Sequence, residues 1–236
     1  MITAWMNRAT NLTMAQAATI VRALQMQQTE FAQCWPDLDP CSPLLFTDED
    51  DTKLPEGCYP CVFVDNPDIA GVLGYHSVTA GGRYFARIFV DLLLKEGTWN
   101  QSVSSCASHE NLELQGNPTC LKGVIGPVRP EGSRYQYELC DPVEEDYYTK
   151  RVDGVDVSVS NFVLREYFDP NKPNGSRVDY LGTCPGPFQL APKGYMLVSK
   201  DGLELPTPIY GERPPSPERI ERKKLGHRFF GGLAHQ

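Results

Sequence analysis

The sequence predicts an α+β protein, on three observations. An apolar pattern at three- and four-residue spacing opens the chain, several short runs of strand composition follow it, and a second helical stretch gives way to a loop-rich half. Its 236 residues, 41 % of them hydrophobic and 22 % charged, allow one sizeable core with appendages and exclude disorder throughout.

Taken in order, Thr13 is a plausible N-cap for a helix whose Ala17, Ile20, Val21, Leu24 and Phe31 share one face, and Trp35-Pro36 closes it. Residues 1–12 read as an N-terminal extension. The proline- and acid-rich run 36–57 contains a short strand candidate at Leu44-Leu45-Phe46. Tyr59–Val64 has strand composition, Gly71–Tyr75 begins another candidate, and Tyr84–Val90 is the clearest strand, with Gly81-Gly82 as the turn before it. Ser102 is expected to cap a second helix that runs to about Leu114 and ends at Gly116-Asn117-Pro118. Short strands are expected over 134–140, 155–159 and 195–198, while 163–168 is helical or irregular. One domain over 13–205 and an arm over 206–236 complete the division.

A formal charge of −8 argues against a general nucleic-acid binder, whose footprint is basic. No apolar run approaches the ~20 residues that span a bilayer, and the first residues lack the compact apolar core of a secretory signal, so synthesis in a cytoplasm and a soluble product are expected. Eight cysteines, at 34, 41, 58, 61, 106, 120, 140 and 184, are many for a cytosolic protein. Cys58-Tyr-Pro-Cys61 is a single CxxC, half of what a structural zinc site uses, and reads either as two buried thiols or as a redox pair. The eight are scattered thiols or a set that pairs in an oxidising setting.

The stretch "CASHENLELQGNPTC" places His-Glu-x-x-Glu where zinc hydrolases carry His-Glu-x-x-His. Residues four apart share a helix face, so His109 and Glu113 would converge as metal ligands, with Glu110 as the general base acting on metal-bound water. A third ligand must come from elsewhere. Asp141 or Glu138, in "YELCDPVEED", and His76, in "LGYHS", are the candidates. A carboxylate in place of the second imidazole shifts preference towards harder ions such as Mn²⁺ or Ca²⁺, and the site is open to zinc, another divalent ion or none.

Six passages carry a family resemblance: "AATIVRALQMQQTEFAQCW", "GVLGYHSVTAGGRYFARIFVD", "SVSSCASHENLEL", "YELCDPVEEDYY", "VSVSNFVLREYFDP" and "FQLAPKGYMLV". In order and wording they resemble zincin-like bacteriophage and prophage proteins of unassigned function, often encoded among virion genes, over residues 13 to 200. The layout of a helix, several strands, a His-Glu helix and a loop-rich half is that of zincin-like metalloprotease folds. Relatives read Ser-His-Glu-x-x-Glu and then an acid and proline. Ser108, His109, Glu110 and Glu113 match, and Asn117-Pro118 stands in place of the acid-proline pair. Against that pattern Cys140 belongs to the shared "CDPVE", whereas the other cysteines look like additions. They suggest Cys106–Cys120 and Cys34–Cys41 bridges, with Cys58 and Cys61 as further candidates, each closed loop being worth ~2–4 kcal/mol.

The resemblance implies a structural component of a tailed-phage virion in capsid, neck or tail, made in the host cytoplasm, with a degenerate metal site. Its partners would be other virion proteins or copies of itself, with no membrane and no sequence-specific nucleic acid. The alternative is a metal-dependent peptidase that uses the HExxE helix. In the final stretch Arg219, Arg222, Lys223, Lys224 and Arg228 give a basic segment, and Phe229 and Phe230 give it apolar anchors. A basic arm on an acidic body suits assembly.

Overall fold

The computed structural model describes residues 1–69, 72–126, 133–199 and 207–212. In chain order the strands and α-helices are β1 (Ile2–Asn7), α1 (Met14–Cys34), β2 (Ser42–Phe46), β3 (Tyr59–Val64), β4 (Gly74–Val78), β5 (Tyr84–Phe89), α2 (Val90–Glu96), α3 (Ser104–Gly116), β6 (Gly123–Ile125), β7 (Arg134–Gln136), β8 (Tyr147–Val152), β9 (Val155–Ser160), β10 (Tyr195–Ser199) and β11 (Thr207–Tyr210). The mixture is α+β, as the composition of its segments predicts. The chain divides into two compact units. One comprises Met1–Pro67, Leu73–Thr119 and Tyr147–Ser160, and the other Asp68–Val72, Cys120–Asp146 and the chain from Asn161 on.

The first unit is built on a five-stranded sheet in the order β2-β1-β3-β5-β4. Four strands run parallel, and only the edge strand β4 runs antiparallel to its neighbour β5. The expected extension over 1–12 is therefore corrected: residues 2–7 form a strand between β2 and β3. Thr3, Ala4, Trp5 and Met6 are all buried, which is why no alternation of polar and apolar residues betrays this strand. Parallel neighbours need a crossover, and α1 supplies it between β1 and β2. Its start is the expected one. The Thr13 hydroxyl accepts from the Gln16 N–H while the Gln16 side chain accepts from the Thr13 N–H. Ala17, Ile20, Val21 and Leu24 face the sheet in one cluster with Trp5, Phe63 and Ile88.

The turn between β4 and β5 closes through Gly82, whose φ of +80° suits glycine. β5 ends at Phe89, one residue before the expected limit, because Val90 already begins α2. The His-Glu helix α3 also differs at its start. A π-helical turn over Trp99–Val103 runs straight into α3, so Ser102 is no cap, and Val103 before α3 has helical angles of −68° and −42°. Its end is as expected: the Asn117 N–H returns to the Glu113 carbonyl at 2.7 Å, and Pro118 follows.

The β8–β9 hairpin packs on α1 and α3 within the same unit. A buried polar triangle secures it. The Ser108 hydroxyl donates to Gln27 Oε1 at 2.7 Å, the Ser160 N–H donates to Ser108 Oγ at 2.9 Å, and Gln27 Nε2 donates to the Ser160 carbonyl at 2.8 Å. On the hairpin's other strand Lys150, almost fully buried, pairs with Glu30 of α1.

The second unit carries an antiparallel sheet in the order β11-β10-β7-β6. Its first strand corrects the expected arm, since 207–210 pairs with β10. Pro208 is tolerated there because β11 is an edge strand. The arm residues Arg219, Arg222, Lys223, Lys224, Arg228, Phe229 and Phe230 lie outside the described residues. The fully buried Asp179 organises the loops of this unit. It accepts from Asn161 Nδ2 at 2.7 Å, the Thr183 N–H at 3.0 Å and the Cys184 N–H at 2.9 Å.

Ser108→Ala would strand the Ser160 N–H and one Gln27 oxygen in the interior. An expected loss of about 2 kcal/mol in the unfolding free energy follows, measured by urea denaturation with unchanged slope.

Candidate metal centre

Helix α3 is buried on nearly every side, yet its inner residues are not all apolar. Ala107, Leu112 and Leu114 enter the core beside Ser108, Glu110, Asn111 and Glu113. A buried polar group without a partner is costly, so each of these four must be met by a neighbouring element. Ser108 is met by α1 and β9, as above. Asn111 Oδ1 accepts from Thr3 of β1 at 2.9 Å. The two glutamates are met by histidines.

His109 Nε2 lies 3.1 Å from Glu113 Oε2, one turn away on the same helix. The convergence expected from their spacing is present. His76, on β4, comes from the other side. Its Nδ1 is 3.1 Å from Glu110 Oε2 and 3.9 Å from Glu113 Oε2, and its Nε2 is 3.1 Å from the Asn117 carbonyl. His76, Glu110 and Glu113 are 6 %, 7 % and 4 % exposed, which makes this a buried cluster. Their ligand atoms all lie within 4.8 Å of one another.

Matched repeat lengths put His76 there. A Cβ built on Gly74 would meet Cys106 Sγ at 2.7 Å, so the strand backbone rests on the helix at that point. Two residues along a strand advance ~6.6 Å and four along a helix ~6 Å. His76 therefore meets Glu110 as Gly74 meets Cys106. In the sequence His76 stands only as an alternative third ligand. The spacing that singles it out is Gly-x-His on a strand against Cys-x-x-x-Glu on a helix, visible only once the two are known to run side by side. Asn117 carries no such signal, because its contribution is a backbone carbonyl.

Glu110, the expected general base, has its Oε2 against the imidazole of His76. Of the other predicted ligands, Asp141 and Glu138 are buried in the second unit, in and just before the 3₁₀ turn Asp141–Val143.

All eight cysteines are thiols. Cys58 and Cys61 are both buried, and Arg83 donates to Cys58 Sγ at 3.4 Å. Burial pushes the Cys61 thiol well above its ordinary value and lifts Cys41 to about 11. Cys61 is thus held as a neutral thiol.

Comparison with known protein families, with curated proteins and with solved structures found no match. Among the described residues no helix is long and apolar enough to cross a membrane.

Burial similarly raises Cys184. At pH 8 these three thiols are expected to alkylate at least ten times more slowly than a thiol in a short peptide, and to react fully in guanidinium. Timed quenching with peptide mass spectrometry measures the rates.

Proposed function

We propose that this chain is a structural component of a tailed-bacteriophage particle, in capsid, neck or tail, built on a zincin-like scaffold that no longer hydrolyses. Its partners would be other virion proteins or further copies of itself. The phage assignment is supported by the six passages of family resemblance and by the basic C-terminal segment. The order of elements, with α1, the strands, the His-Glu helix α3 and a loop-rich second half, agrees with a zincin-like layout.

One observation carries the loss of hydrolysis. Glu110, which should hold the proton taken from attacking water, is buried with its carboxylate 3.1 Å from His76 Nδ1. A base so buried lacks the access to solvent that the step requires. If a zinc ion stood at the His109–Glu113 face in the manner the resemblance implies, those two residues would hold it and the ion would supply Lewis acidity. Their convergence at 3.1 Å is what favours the second reading, a metallopeptidase.

Hydrolysis of an unfolded protein substrate separates the two. With zinc supplied, wild type and Glu110→Gln are expected to show the same background rate. A fall of about 100-fold or more in the variant would restore the peptidase, since that is the usual share of a general base. Deleting 213–236 is expected to reduce incorporation into particles at least tenfold, read by quantitative mass spectrometry of purified virions against total lysate. Normal incorporation of the truncated chain would count against the assembly role.

A further inference from the structure

We infer that His76 Nδ1, Glu110 and Glu113 form a divalent-cation site, specific for a first-row ion such as Zn²⁺, that clamps the edge strand β4 to helix α3. This differs from the arrangement the HExxE motif suggests. Glu110 is a ligand instead of a base, and the imidazole comes from the sheet. The inference is independent of where the chain works.

The hydrogen bonds set the direction of the ring. A carbonyl oxygen only accepts, so the 3.1 Å contact to Asn117 requires His76 Nε2 to carry a hydrogen. In the neutral ring Nδ1 then presents a lone pair, and that lone pair faces carboxylate oxygens at 3.1 and 3.9 Å. At such distances something positive, a proton on Nδ1 or a bound cation, stands between the nitrogen and the oxygens. Histidines that bind metal through one nitrogen commonly donate the other to a carbonyl, which holds the ring orientation. Asn117 does this here, and the contact between His109 Nε2 and Glu113 Oε2 at 3.1 Å orients the second carboxylate in the same way.

Size and charge agree. An ion bonded at ~2.1 Å to atoms in tetrahedral arrangement holds them roughly 3.4 Å apart. The observed separations of 3.1 and 3.9 Å from the imidazole bracket that value, and all three ligand atoms lie within 4.8 Å of one another. Two buried carboxylates and a neutral imidazole carry two negative charges, which a divalent ion cancels. One nitrogen and two oxygen donors suit Zn²⁺ or a neighbouring transition ion. They do not suit Ca²⁺, which takes six to eight oxygens. The clamp acts at the outer strand, where β4 has a sheet neighbour on one side only among the described residues.

The test uses the full-length protein labelled with ¹⁵N-histidine, stripped with chelator and dialysed against Zn²⁺. Elemental analysis is expected to find about one equivalent retained against a weak competitor, and the melting temperature to rise. The NMR signature is specific: one imidazole becomes metallated at Nδ1 while its Nε2 keeps its hydrogen. His76→Gln is expected to lower affinity at least 100-fold. His109→Gln, which removes the orienting contact to Glu113, is expected to lower it about 10-fold. Retention below about a tenth of an equivalent overturns the proposal, as does metallation at an Nε2 with His76 Nδ1 unchanged. If His76→Gln fails to fold by circular dichroism, the wild-type spectrum decides alone.

Discussion

Helix α3 is almost wholly buried, and Ser108, Glu110, Asn111 and Glu113 are among its buried polar side chains. That single constraint organises the first unit. Ser108 requires α1 and the β8–β9 hairpin, Asn111 requires Thr3 on β1, and Glu110 requires His76 on β4. Apolar surfaces would let these neighbours slide, since burial of area is indifferent to small shifts, whereas each hydrogen bond tolerates only a few tenths of an ångström. Sheet order brings the elements near, and the polar contacts of α3 set their register. Gly74 is the steric counterpart: without a side chain there, the strand can rest on Cys106 and deliver the imidazole one turn further on.

What could be read from the chain followed from local chemistry. The Thr13–Gln16 capping box, the apolar face of α1 and the strand β3 at 59–64 are short-range patterns and lie where expected. Strand β1 was hidden because burial on both faces removes the alternation by which strands are recognised. The start of α3 was misplaced because the chain enters it through a π-helical turn, leaving Ser102 inside a continuous helical path instead of at its beginning. Pro208 misled in the opposite sense. Proline argues against a strand, except at an edge, and edge position is a property of the finished sheet.

The site divides in the same way. The approach of His109 to Glu113 is dictated by helix geometry alone and needs no tertiary knowledge. The approach of His76 to Glu110 spans 34 residues of sequence and depends on β4 being the antiparallel edge of the sheet. This long-range contact changes the chemistry. A helix motif by itself suggests a base beside a metal, whereas the strand converts the base into one arm of a closed His-Glu-Glu cluster. The contact thus ties the helix motif to the edge of the sheet.

The pairing of His76 with Glu110 is the central claim, and a double-mutant cycle on the metal-free protein tests it most directly. His76→Gln, Glu110→Gln and the double variant would be compared with wild type by urea denaturation. The account predicts a coupling energy of roughly 1–3 kcal/mol between the two positions, as expected for groups in direct buried contact. Additive effects within about 0.3 kcal/mol, the behaviour of distant and independent sites, would contradict it.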